Sequence, residues 1–331
     1  MNDKIIINLD NNKNLTPELK KQLFDFLKNN KSIKLNQIDK TLGFYVTFEY
    51  QKQQVNVPFK YLLNNTNQKL GGIHYLNFEI ECSSKSKGYC NICKYCYSIL
   101  GQNRFKNNNN KIILNVLFIR YIIDEYNKNN LKPFMLLINY LNNVPLIRFN
   151  CNNDFNSIIE IKFLIELAGN LPNTIIYGYT KRVDLKNNIN SPDVPKNLII
   201  NSNYPELSKN GNIYQATWNI QKYLQHNYNC KGLCTNCLKC TKKANKTIYC
   251  LLHGPKNRID PVYNTKNNRQ YLINFFNQKY NINLKEEDLM VNKGLLSSLN
   301  KFLRGTPYQL EFRNIKELVD YIKSFEGEQY E

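Results

Sequence analysis

At 331 residues the chain can bury one large core or two smaller ones, and 42% hydrophobic residues with 23 Tyr and 17 Phe exclude global disorder. A formal net charge of +19 favours polyanionic partners, nucleic acid or a phosphorylated substrate, with the basic residues scattered along the chain rather than gathered in a block. No uninterrupted apolar stretch reaches the length of a transmembrane helix, and the opening MNDKIIINLDNN turns polar too soon for a secretory signal, so a cytoplasmic protein without a membrane partner is expected.

Residues 1–70 read as a small α+β unit. A strand is expected over 4–9, and Thr16-Pro17 supplies an N-cap and a first-turn proline for a helix to about Lys28. Residues 43–50 and 54–62 read as paired strands joined by the polar turn Gln51-Lys52-Gln53.

Residues 71–255 read as an α/β core. The apolar run LNFEI, 76–80, has the length and flanks of a buried strand. After it comes a polar loop with Cys82, Cys90, Cys93 and Cys96, then a helical region clearest over 112–126. Further strands are expected at 145–150, 174–179, 197–201, 213–217 and 247–252. Ser157 and Glu160 form a capping box, and the helix behind them is stopped by Pro172. Apolar strands alternating with helices imply a parallel sheet covered on both faces, and right-handed crossovers curl it into a full or partial (β/α) barrel or a doubly wound sheet. In either, ligands bind at the carboxyl ends of the strands. That edge carries the first cysteine group, Asp154, Thr180-Lys181-Arg182, Ser202 and His253. Residues 256–331 read as a mostly helical extension, with helices at 269–280, 289–302 and 315–325 and a strand at 308–312.

Eight of the ten cysteines fall in two tight groups, which in a long chain without an export signal points to metal rather than disulfides. Cys90-x2-Cys93-x2-Cys96 reproduces the first three ligands of the bacterial ferredoxin run, and Cys82 stands nearby. Cys230-x3-Cys234-x2-Cys237-x2-Cys240 is that run reversed and could hold a [4Fe–4S] cluster entirely; zinc is the alternative metal, since four thiolates also close a structural zinc site. Cys151 and Cys250, in or beside strands, read as small buried hydrophobes.

Cys96-Tyr97-Ser98, IRFNCNNDF (147–155), Tyr179-Thr180-Lys181 and the second cysteine group with His253 together resemble the phage gene product 88 family. That family supplies architecture more than activity, and Asn153 stands here where its members tend to have glycine. More remotely, the arrangement is similar to radical S-adenosylmethionine enzymes, with Tyr95 before Cys96 matching their aromatic residue, although their spacing is C-x3-C-x2-C. The resemblance implies one or two [4Fe–4S] clusters, S-adenosylmethionine, a reductant protein and an unknown small-molecule or macromolecular substrate. It assigns Asp154 and Lys181 to catalysis, and Asp154, Tyr95, Lys181, Arg182, Ser202 and His253 to the cofactor. Two further readings stand beside it: a zinc-stabilised nucleic-acid-binding protein of a phage or mobile element, and a metal-stapled structural protein.

Overall fold

A computed structural model describes residues 4–6, 35–39, 45–50, 53–58, 72–79, 82, 84, 87–89, 106–151, 153–226, 228–230, 234–244, 246–252, 256–290 and 294–326. The expected helix over 16–28, and Cys90, Cys93, Tyr95, Cys96 and His253, lie outside these residues. The chain divides into two compact units: one holds 1–91, 101–214 and 232–246, the other 92–100, 215–231 and 247–331.

The described residues form two sheets. One is four-stranded, in the order β1-β4-β3-β2: β1 (Lys4–Ile6), β2 (Leu35–Asp39), β3 (Tyr45–Tyr50) and β4 (Gln53–Pro58). The β3–β4 pair is the expected hairpin, antiparallel from Tyr45↔Pro58 to Tyr50↔Gln53. The sequence reading missed β2, whose LNQID offers only two apolar residues to signal a strand.

The other sheet starts with β5 (His74–Leu76), β6 (Leu146–Phe149), β7 (Ile175–Thr180), β8 (Leu198–Ser202) and β9 (Ile213–Thr217). Each strand pairs in parallel with the next. The order continues to β10 (Thr247–Leu251) without a reversal. A doubly wound sheet reverses direction at a switch point; this one does not, and the protein has an α/β fold with a partial, barrel-type parallel sheet.

The strand expected over 76–80 ends at Leu76 instead. Asn150 N–H makes the last ladder bond, to the Leu76 carbonyl at 2.9 Å. At Asn77 the ladder gives way to side chains: Asn115 Oδ1 accepts from Asn77 N–H, and Asn77 Oδ1 accepts from Cys151 N–H at 3.1 Å. Phe78 remains fully buried, so the apolar run reported burial correctly but not the ladder.

Residue parity assigns the two faces of this sheet. Leu76, Ile147, Phe149, Ile176, Leu198 and Ile200 share the core with three helices: α1 (Lys106–Asn127), α2 (Lys132–Leu141) and α3 (Ile158–Gly169). Burying such side chains contributes about 1.5–3 kcal/mol each before chain entropy is counted. Gly178 is needed here because Phe149 lies over it: a Cβ would stand 2.5 Å from the Phe149 side chain. The Phe149 ring stacks on Phe155 at 5.4 Å. On the opposite face Tyr75, Arg148, Tyr177 and Ile199 form one lateral row.

The second unit has its own core, built on α4 (Lys266–Tyr280), α5 (Leu295–Arg304) and α6 (Ile315–Glu326). The expected strand at 308–312 is absent from it. Asn300 instead satisfies that stretch, donating to the Phe312 carbonyl at 2.7 Å and accepting from its N–H at 3.0 Å, so one buried amide does what a ladder partner would. Asp260 caps α5 by accepting from Leu296 N–H and Ser297 N–H.

Candidate functional site at the carboxyl edge of the sheet

Because β5 to β8 are parallel, the segments that follow them gather at one edge. Asp154, five residues beyond β6, is 4% exposed and is its hub. One oxygen accepts from Thr180 Oγ1 at 2.6 Å and from Phe155 N–H at 2.8 Å. The other accepts from Ser84 Oγ at 2.5 Å and from Lys181 N–H at 2.7 Å. A carboxylate has about four acceptor sites, and all four are engaged. Burial pushes the Asp154 carboxyl up, and the four donors pull against that shift.

Arg182 is 1% exposed and equally committed. Its Nε and Nη2 grip Asp184 at 2.7 and 2.6 Å, and Nη1 donates to the carbonyls of Phe155 and Asn156. The guanidinium holds Asp184 below the usual carboxylate range. Ser202 is buried, and its hydroxyl accepts from Tyr204 N–H at 3.2 Å in a local turn. Lys181 reaches the hub through its backbone, with its side chain half-buried.

The loop after β5 is tied to this edge at three points. Ser84 bonds Asp154, Lys87 pairs with Asp184 at 3.8 Å, and Tyr204 Oη donates to the Tyr89 carbonyl at 2.9 Å. Cys82 is half-buried in the same loop, which leads towards Cys90. The sequence reading collected Asp154, Thr180, Lys181, Arg182 and Ser202 at this edge, and the structure brings them there. It missed Ser84 and Asp184, which carry no spacing signal of their own.

Below the edge lies a second acidic group. Glu79 and Arg120 form an ion pair at 2.5 Å, and Glu160, from the first turn of α3, is buried beside them. Burial first, then the Glu79 charge, pushes Glu160 up to about 8, against the pull of Asn156 N–H, Ser157 N–H and Arg120. Only half of the expected capping box is present: Glu160 reaches back to Ser157 N–H, and also to Asn156 N–H at 2.6 Å, while the Ser157 side chain makes no cap bond.

The opposite face of the sheet carries the second cysteine group. Asn201 Nδ2 donates to the carbonyls of Gly178 and Cys240, and its Oδ1 accepts from Asn212 N–H and Nδ2. Asn212 in turn donates to the Lys242 carbonyl and accepts from Ala244 N–H. Two buried amides thus stitch residues 240–244 to the sheet. Cys234 and Cys237 bound a single helical turn, and Cys234 packs against the buried cluster of Tyr75 and Cys151. Burial, with Cys234 and Cys151 close by, pushes the Tyr177 phenol up, while Arg148 acts in the other direction. Cys230 belongs to the second unit, where its N–H bonds the Tyr249 carbonyl at 2.6 Å and its carbonyl accepts from Tyr223 Oη at 2.9 Å. Among the described residues no three Cys, His, Asp or Glu side chains converge as a metal site. The donor type, free thiols, is nevertheless the one a thiophilic metal takes.

Fold and edge together define an α/β protein whose cysteine-bearing loop is anchored across the carboxyl ends of a parallel, barrel-type sheet. A family model described as gene product 88 matches residues 45–220, just over half of the chain. The chain belongs to the phage gene product 88 family. The match takes in β3 to β9 and ends before Cys230, so the second cysteine group lies beyond it. No curated protein and no solved structure matches the chain. Among the described residues no helix is long and apolar enough to cross a membrane.

Proposed function

We propose that the chain is a metal–thiolate protein of iron–sulfur type, resembling radical S-adenosylmethionine enzymes and acting on a substrate held at the carboxyl edge. The observation that carries this reading is the three-point anchoring of the loop that leads into Cys90, Cys93 and Cys96, through Ser84, Lys87 and Tyr89. Three cysteines leave one iron of a cluster open to a ligand, and such a cluster, when bound, supplies an electron to that ligand. In this reading Asp154 and Arg182 are positioning residues, because their polar atoms already serve the chain. Lys181, whose backbone N–H joins the hub, carries the side chain that this reading assigns to an anionic group of cofactor or substrate. The resemblance to radical S-adenosylmethionine enzymes also assigns Tyr95, Ser202 and His253 to the cofactor, and a reducing cytoplasm with a reductant protein is the setting this chemistry requires.

Anaerobic purification followed by iron and sulfide analysis and electron paramagnetic resonance tests the proposal. A brown protein with stoichiometric iron is expected. A colourless, zinc-loaded protein would overturn the iron assignment and favour the second reading, a zinc-stabilised nucleic-acid-binding protein. The net charge of +19 supports that second reading, and its own mark would be nucleic-acid affinity that falls steeply with salt.

A further inference from the structure

The two faces of the parallel sheet differ in kind. Towards α1, α2 and α3 it carries the Leu, Ile and Phe side chains of the main core. The other face presents Tyr75, Arg148 and Tyr177 in one lateral row, in which Ile199 is the only aliphatic member. A parallel sheet covered on both faces for stability alone carries aliphatic side chains on both. This second face therefore has polar chemistry that packing does not require.

At the carboxyl ends of β5 and β6 stand two buried asparagines whose amides the chain leaves incomplete. Asn150, directly after β6, is 5% exposed, and among the described residues neither its Nδ2 nor its Oδ1 has a hydrogen-bond partner. Its backbone is left-handed, with φ at +50°, which accounts for an asparagine there but not for a buried, unpartnered amide, since glycine serves that conformation alone. Asn77, one step beyond the Leu76↔Phe149 pair, is fully buried. Its Oδ1 accepts from Cys151 N–H at 3.1 Å, but its Nδ2 makes no hydrogen bond. Native proteins pair nearly all their buried polar groups, so two donors and an acceptor left over at adjoining strand ends call for a polar ligand.

Arg148 supplies the charge. It lies on β6 two residues before Asn150, with its guanidinium 5.1 Å from the centroid of the Tyr179 ring and close enough to Tyr177 to act on that buried phenol. A guanidinium held over a ring directs its N–H groups along its own plane, where a carboxylate or a phosphate takes two of them together.

We propose that this face, at the carboxyl ends of β5 to β7, binds a small oxyanion-bearing substrate, a carboxylate or a phosphate, whose charge pairs with Arg148 and whose polar body is held by the amides of Asn150 and Asn77. The inference rests on the substrate site of the reading above and names the class of substrate; it holds whichever metal the cysteines carry.

Isothermal titration calorimetry of the full-length protein tests this, with succinate, inorganic phosphate and AMP as probes. Succinate separates a carboxylate from a phosphate site, and AMP separates a nucleotide from phosphate alone. Saturable one-to-one binding of at least one probe is expected. Arg148→Met is expected to weaken it by about 10-fold or more, the usual loss when a charged hydrogen-bond partner is removed. Asn150→Gly keeps the left-handed backbone and is expected to weaken the same binding by about 10-fold, while the ligand-free protein melts no lower than the wild type. Absence of saturable binding by all three probes overturns the inference, as does binding untouched by Asn150→Gly. A ligand-free Asn150→Gly protein that melts lower overturns it too, because the amide would then serve the fold; both Asn150 readouts stand even if Arg148→Met fails to fold. A brown, iron-loaded protein that binds no probe sinks this inference alone, whereas a colourless protein that binds one sinks the iron assignment alone.

Discussion

Thr180 Oγ1 donates to Asp154 Oδ1 at 2.6 Å, joining the end of β7 to the loop after β6 across 26 residues of chain. The same carboxylate bonds Ser84 from the loop after β5, so one buried side chain registers three consecutive strand ends.

Replacing Asp154 by Ala leaves the buried N–H groups of Lys181 and Phe155 without their acceptor. A loss of about 3–5 kcal/mol is expected in chemical denaturation, of the size seen when a buried charged partner is removed. Asp154→Asn keeps the shape but offers donors at one end, and it is expected to recover only part of the loss. Lys181→Ala retains the backbone donor to Asp154 and is expected to cost less than Asp154→Ala does. An activity lost in Lys181→Ala with an unchanged melting curve would therefore report chemistry rather than folding.

Arg182→Lys keeps a cation but gives up the planar grip on Asp184 and the bonds to Phe155 and Asn156. We expect about 2–3 kcal/mol of destabilisation, since charge-assisted bidentate bonds are not replaced by an ammonium. Equal stability of the two proteins in urea would contradict the geometry described for this edge.

Glu160 makes stability depend on pH. Its carboxyl is raised from 4.5 to about 8 in the folded protein, so ionisation favours the unfolded chain. Below the ordinary carboxylate value both states are protonated and the contribution to stability is at its fullest. As pH rises through the window up to about 8, stability falls by roughly 1.4 kcal/mol per unit, to a total of about 5 kcal/mol. Glu160→Gln is expected to flatten this decline, matching the wild type near pH 4 and exceeding it at pH 9 in thermal melts.

Gly178→Ala is expected to cost about 1–3 kcal/mol, the usual penalty of overpacking, because the new methyl would meet the Phe149 ring and carbonyl. A second change, Phe149→Leu, should recover part of that loss when the two are combined. Additive losses would mean that the ring is not the obstacle.

Strands β6 to β10 were legible because each is a short apolar run bounded by turn residues, and a sheet buried on both faces requires just that. The polar edge was legible for a related reason: in a parallel sheet, residues that follow strands share an edge whatever their distance in sequence. Side chains that imitate backbone were not legible. Asn77 and Asn115 end β5 early, and Asn300 stands in for a strand at Phe312; no period or spacing marks an amide for such work. Ser84 was equally hidden, since its tie to Asp154 spans 70 residues and a lone serine in a polar loop looks like any other. Cys151 and Cys250, read as small buried hydrophobes, are 7% and 6% exposed.

The uninterrupted strand order has a consequence for how the first unit comes into being. Each strand from β6 to β8 docks on the one made just before it. A nascent chain can therefore add them one at a time as they leave the ribosome, each docking on the edge left by the strand before it. Residues 240–244 then reach back to a strand already laid down, through Asn201 and Asn212.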